Sequence, residues 1–164
     1  MSSGAGKGPP RWLAPAIVLG ILVADQITKS WVVSAFSDAP LSIVGNDVEL
    51  RVIRNAGGAF SLFTNATFVL AVLALIMSVV LVRAVMQARD TWTVVALSLV
   101  LGGALGNLSD RIARSPGFLR GQVVDYVHIG PWPSFNVADA AVSTGVVLLL
   151  VLTLRHREPV DGPA

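Results

Sequence analysis

Apolar residues in this 164-residue chain fall in four blocks, at about residues 12–34, 67–88, 91–108 and 136–155. Each approaches the roughly 20 residues that a helix needs to cross a hydrocarbon core. The fourth is short unless it begins at or before Asn136. The second and third are separated by little more than Ala88, Arg89 and Asp90, which is room for a tight turn, so they are expected to form an antiparallel hairpin. Between the first and second blocks, residues 36–65 hold Ser42-Ile-Val, Val48-Glu-Leu-Arg-Val-Ile53 and a Gly57-Gly58 pair, a pattern of strands and turns. Between the third and fourth, residues 110–134 are broken by Ser115-Pro-Gly117 and Pro131-Trp-Pro133 and read as a loop able to drape over a site. The expected fold is an integral membrane, mainly α protein of one domain (1–164): a four-transmembrane-helix bundle with a small extracytoplasmic β-sheet between helices 1 and 2.

Composition sharpens the membrane reading. Hydrophobic residues make up 54% and charged residues 13%, against about 25% charged in a soluble domain, and the mean hydropathy is +0.71. A water-soluble fold is excluded. The formal charge of +2 is carried by basic residues scattered among apolar runs, with no stripe to track a nucleic acid. The chain has no cysteine, so disulfides and thiolate metal sites are unavailable, and His128 and His156 lack ligand-like neighbours. No cofactor or metal is expected. Residues 1–11 followed by an apolar run resemble the start of a signal peptide, but the run continues through Lys29 into Trp31, which marks a retained first helix.

Four spans put both termini and the helix 2–3 turn on one face, and the two long connections on the other. The basic residues divide evenly between the faces: Lys7, Arg11, Arg83, Arg89, Arg155 and Arg157 against Lys29, Arg51, Arg54, Arg111, Arg114 and Arg120. Setting aside Arg54 and Arg111, which lie inside motifs described below, favours a cytoplasmic N-terminus and a cytoplasmic tail at 156–164.

Asp25, Asp110, Asp125 and Asp139 lie within or beside apolar segments, where an ionised carboxylate is costly unless paired or wetted. Asp25 has Lys29 four residues on and Asp110 has Arg111 beside it, which suits helix-end ion pairs. Asp125 and Asp139 have no adjacent cation. Two carboxyls brought together in a poorly solvated place do not both ionise easily, and one retains its proton. That supplies an acid and a base, able to activate a water against a peptide carbonyl and to protonate the leaving amine. Buried aspartates also mark proton paths in transporters, and helix-end aspartates also serve as plain anchors in a membrane scaffold. A serine mechanism fits poorly: Ser61, Ser109 and Ser143 have no histidine at a plausible partner position, and Lys29 is the one lysine of the membrane region.

Five segments, Asp25-Gln-Ile-Thr-Lys29, Arg54-Asn-Ala-Gly-Gly-Ala-Phe-Ser61, Gly102-Gly-Ala-Leu-Gly-Asn-Leu-Ser-Asp-Arg111, Val123-Val-Asp125 and Phe135-Asn-Val-Ala-Asp139, together closely resemble the bacterial lipoprotein signal peptidases, or type II signal peptidases. The resemblance covers nearly the whole chain. It departs at Gly58, where many members have Ala, and in the compact stretch from Asp125 to Asp139. The resemblance implies an intramembrane aspartyl endopeptidase that cuts diacylglyceryl-modified prolipoproteins just before the lipidated cysteine. It implies catalytic roles for Asp125 and Asp139, and supporting or substrate-binding roles for Asp25, Lys29, Asn55, Gly106, Asn107, Asp110, Arg111, Asn136 and Ala138. Expected partners are prolipoprotein substrates and membrane lipids, the expected state is a monomer, and the expected location is the bacterial cytoplasmic membrane with the active site toward the outer face.

Overall fold

The computed structural model describes residues 8–45, 47–57 and 66–155. Lys7, Gly58, Ser61, His156, Arg157, most of the expected N-terminal segment and the expected tail at 156–164 lie outside the described residues. Helices α1 (Leu13–Phe36), α2 (Ala66–Gln87), α3 (Thr91–Ala113) and α4 (Val137–Arg155) are each long and apolar enough to cross a membrane.

The helices are inside out relative to those of a soluble bundle. In α1 the outward stripe is Leu19, Val23, Ile27 and Trp31, at four-residue spacing, all exposed, while the buried positions are Asp25, Lys29 and Val32. Apolar side chains gain nothing by leaving lipid, so the interior is left to small residues and to polar groups that lipid cannot solvate. The central helix is α3, on which α1, α2 and α4 all pack, whereas α1 and α2 have almost no contact with each other. Close approach comes from glycine. A Cβ on Gly103 would run into the Ala138 carbonyl of α4, and one on Gly106 would stand 2.8 Å from Asp25 Oδ2 and 3.1 Å from Ala138 Cβ. Asp90 starts α3 by accepting the Thr93 amide at 2.8 Å, which sets the tight turn after α2.

Strands β1 (Leu41–Val44), β2 (Val48–Asn55) and β3 (Val123–Ile129) form an antiparallel sheet in the order β1-β2-β3. A bulge between Leu50 and Ile53 offsets β2 against β3. The sheet rests on the end of α1 through a core of Val32, Val124 and Tyr126, with Val33, Phe36, Leu50 and Val52 around it.

Two features differ from the sequence expectation. The connection expected as a loop over 110–134 contains β3, and α3 continues past residue 108 to Ala113. The polar residues that mark the end of the apolar block point inward: Asp110 is fully buried. The run Val123-Val-Asp-Tyr-Val-His-Ile129 becomes a strand by pairing with β2, about 70 residues away, a partner that local sequence does not reveal.

Candidate active site

At the sheet end of the bundle, α1, α3, β3 and the start of α4 converge on a set of polar side chains that two buried networks organise. The first centres on Lys29, whose Nζ is 2.8 Å from Asp25 Oδ2, 2.9 Å from Asp110 Oδ2 and 3.1 Å from Asn107 Oδ1, with all three charged side chains fully buried. Asp110 takes its second ion pair from Arg114, at 2.8 Å. The partner expected from sequence, Arg111, is not the one used: successive helical residues point about 100° apart, whereas positions four apart share a face. Gln26 bridges the two carboxylates, donating to Asp25 Oδ2 and Asp110 Oδ1 at 3.1 Å each. An unpaired buried charge would cost several kcal/mol, and here every carboxylate oxygen has a donor.

Each of these carboxylates also grips backbone. Asp110 Oδ2 accepts the Val124 amide at 3.1 Å, and Asp25 Oδ1 accepts the Ala138 amide at 3.0 Å. Val124 immediately precedes Asp125, and Ala138 immediately precedes Asp139. The ion cluster thus anchors both chain segments that carry the remaining two aspartates.

Among the described residues, the donors that surround Asp125 and Asp139 in the second network are all amides. Asp125 Oδ1 accepts from Asn136 Nδ2 at 2.8 Å and its Oδ2 from Asn55 Nδ2 at 3.0 Å. Asp139 Oδ1 accepts from Asn107 Nδ2 at 2.8 Å and its Oδ2 from the Asn136 amide at 3.2 Å. Asn136 Oδ1 in turn accepts the Asp139 amide at 3.0 Å, so the two residues form a reciprocal box that caps α4 and fixes the direction of Asp139. Because Lys29 and Asn136 both donate to Asn107 Oδ1, the Asn107 amide nitrogen is left facing Asp139. The ion cluster therefore sets the orientation of a donor in the second network.

Environment separates the two carboxyls. Asp125 lies in the buried part of β3 and its pKa is pushed up from 3.8 to about 6, chiefly by burial, with the hydrogen bond from Asn55 opposing and the nearby Asp139 charge adding to the rise. Asp139 is half-buried at the first turn of α4 and borders a cavity of about 400 Å³ together with Phe135, Ala140, Ser143 and Thr144. Arg111 holds the Asn107 carbonyl through Nη1 at 3.2 Å, and its charge is felt by Asp110, Asp125 and Asp139. Its buried Nε has no hydrogen-bond partner among the described residues.

The structure brings all of Asp25, Lys29, Asn55, Gly106, Asn107, Asp110, Arg111, Asp125, Asn136, Ala138 and Asp139 into this one region, Gly106 through its approach to Asp25 and Ala138 through its amide. Sequence reasoning missed Gln26 and Arg114 as members of the ion cluster. Arg114 was legible as the residue four beyond Asp110, but Gln26 gave no signal beyond lying next to Asp25. A Ser–His contact exists between Ser134 Oγ and His128 Nδ1 at 3.1 Å, but Arg51 Nη2 lies 3.0 and 3.1 Å from the two ring nitrogens. The ring is thus shared with Arg51 and is not dedicated to the serine.

Comparison with known proteins gives a consistent assignment. Residues 17–155 match the family model described as signal peptidase (SPase) II. The chain is 42% identical to a lipoprotein signal peptidase of Rhodococcus jostii (strain RHA1) over 166 residues, covering 96% of this chain and 83% of that one. It is 39% identical to the lipoprotein signal peptidase of Mycobacterium tuberculosis (strain ATCC 25618 / H37Rv) over 160 residues, 93% of this chain and 79% of that one. Two solved bacterial membrane enzymes, obtained by the in meso method at 2.3 and 1.9 Å resolution, each superpose with a TM-score of 0.78. The first is 23% identical and covers 96% of this chain and 98% of its own, and the second is 26% identical and covers 90% and 96%.

Proposed function

This chain belongs to the signal peptidase II family, and from that premise we propose that it is an aspartyl endopeptidase that cuts diacylglyceryl-modified prolipoproteins just before the lipidated cysteine. The membership makes it a multi-pass bacterial membrane peptidase that removes signal peptides from lipoproteins. The finer reading rests on one observation: Asp125 and Asp139 share the Asn136 side chain and backbone as donors, and among the described residues neither has a cation as hydrogen-bonding partner.

In the proposed mechanism Asp139, half-buried beside the cavity, takes a proton from a water that attacks the scissile carbonyl. Asp125, whose burial favours the protonated form, polarises that carbonyl and gives its proton to the leaving amine. Asn55, Asn107 and Asn136 hold the two carboxyls in place, and Arg111, with Nε unpartnered among the described residues, holds the substrate chain. Asp25, Lys29 and Asp110 are the support beneath. One chain carries every member of this set, so a monomer suffices.

Exposed aromatics support placing the site near one membrane surface. Trp12 and Trp92 stand at one end of the bundle, and Trp31, Phe118 and Trp132 at the other. The helical rise from Trp12 to Trp31 is about 28 Å, close to the thickness of a hydrocarbon core. Lys29 and the dyad lie at the Trp31 level, where a lipid-anchored substrate meets water. Lys29 is neutralised between two aspartates and does not act as a topological charge. That supports cytoplasmic termini and a site toward the outer face.

The test is cleavage of a diacylglyceryl-modified prolipoprotein by reconstituted protein. Cleavage just before the lipidated cysteine is expected, with Asp125→Asn and Asp139→Asn each losing at least about 10⁴-fold in kcat. Near-normal turnover by either folded variant would refute the dyad. Proton flux without peptide product would favour a transporter instead.

A further inference from the structure

From the end of the bundle remote from the dyad, α1 and α2 diverge over α3 and leave a crevice of about 730 Å³ that runs along α3 from Val94 to Leu105. Its walls are Ala14 and Val18 from α1, Val82 and Val85 from α2, and Val94 and Leu105 from α3. Arg11 is the single charged residue in the lining among the described residues. We propose that this crevice binds one acyl chain of an anionic phospholipid, with the lipid phosphate held by Arg11 at the mouth.

Three observations choose this occupant. The first is depth: Trp12, next to Arg11, and Trp92, next to the α3 cap, are exposed aromatics of the kind that settle at the headgroup level, so Arg11 stands where lipid phosphates lie. The second is length. From Val94 to Leu105 the helix rises about 16 Å, roughly half of a hydrocarbon core of about 30 Å, which is the reach of one leaflet. A signal peptide has to reach the dyad, whereas the crevice ends at Leu105, which points about 200° round α3 from Asn107, the residue that meets Asp139. The third is charge. A signal peptide begins with a basic segment, which Arg11 and the neighbouring Arg83 and Arg89 repel, whereas an anionic headgroup complements them. The volume lies within the range of sites that enclose small apolar ligands, roughly 300–1,000 Å³.

The inference is independent of the peptidase chemistry, and its test reads binding. The full chain, purified in detergent, is equilibrated with mixed micelles of phosphatidylglycerol and phosphatidylcholine in equal amounts, and retained phospholipid is counted by native mass spectrometry. One phosphatidylglycerol per chain is expected, preferred over phosphatidylcholine by about fivefold, the worth of one arginine at a membrane surface. Arg11→Gln is expected to retain a lipid without that preference, and Val85→Trp, which fills the crevice, to retain none. Both positions are remote from the dyad, so prolipoprotein cleavage in detergent serves as the check that each variant is folded. Equal retention of the two lipids by the unaltered chain, undiminished preference in Arg11→Gln, or no retained lipid at all would overturn the proposal. Capture of a prolipoprotein signal peptide by a photoreactive group at Leu105 would overturn it in favour of a substrate groove.

Discussion

Two pairs of aspartates lie within one connected network, and they differ in what neutralises them. Asp25 and Asp110 share the buried ammonium of Lys29, and their carboxylates also accept from Arg114, Gln26 and two backbone amides. Asp125 and Asp139 are held by asparagine donors and the Asn136 amide. A carboxylate held by a buried cation at 2.8 Å serves well as a structural clamp. A carboxyl held by neutral amides keeps the choice of protonation state that acid–base chemistry needs. The clamps hold the residues that immediately precede Asp125 and Asp139, so the first pair positions the second.

Substitutions can break this division in order of expected effect. Lys29→Met leaves two buried carboxylates without their common cation, and is expected to destabilise the protein by about 3–5 kcal/mol, read as loss of folded protein in a bilayer or detergent unfolding assay. Near-normal stability of that variant would mean that the ion cluster is not the support.

A pH titration sharpens the other side. The folded protein holds the Asp125 proton up to about 6, against an ordinary value of 3.8 in the unfolded chain. Between those values the native state binds more protons than the unfolded state, so stability falls as pH rises. The contribution is fully present below about pH 3.8 and lost through about pH 6, a change of about 3 kcal/mol. Asp125→Asn is expected to flatten this part of the stability profile. If Asp125 is the acid of the proposed mechanism, kcat/KM is expected to show a descending limb near pH 6 in the free enzyme, with the limb of kcat moved higher where substrate excludes water.

Asn107→Ala removes the donor that connects the two networks, and is expected to lower kcat by about 100-fold with little change in KM. The smallest effect is expected for Gly106→Ala. Its methyl group meets Asp25 Oδ2 at 2.8 Å and Ala138 Cβ at 3.1 Å, and the strain of prising α3 from α1 and α4 costs about 1–3 kcal/mol in thermal unfolding.

The spans were legible because apolar blocks about as long as a membrane is thick have few other uses. Asp25 with Lys29 was legible because a spacing of four places both on one helical face. Asp110 was misassigned to Arg111 because adjacency along the chain is not adjacency on a helix; its cations are Lys29 and Arg114. The third strand was hidden because Val123–Ile129 becomes a strand only against β2, and proline-containing turns on either side made the whole connection look irregular. The approach of Asp125 to Asp139 was an inference from chemistry, and the shared Asn136 gives it a physical basis. Gln26 was invisible because a neutral side chain between two acids has no pattern until the helices are packed.

The most direct test of the division is to measure unfolding and prolipoprotein cleavage on the same reconstituted samples of Asp110→Asn and Asp125→Asn at neutral pH. The account predicts opposite profiles: Asp110→Asn is destabilised and regains turnover where conditions keep it folded, while Asp125→Asn is at least as stable as the unaltered protein and does not cleave. Cleavage by a stable Asp125→Asn variant, or a fully stable and inactive Asp110→Asn variant, would contradict it.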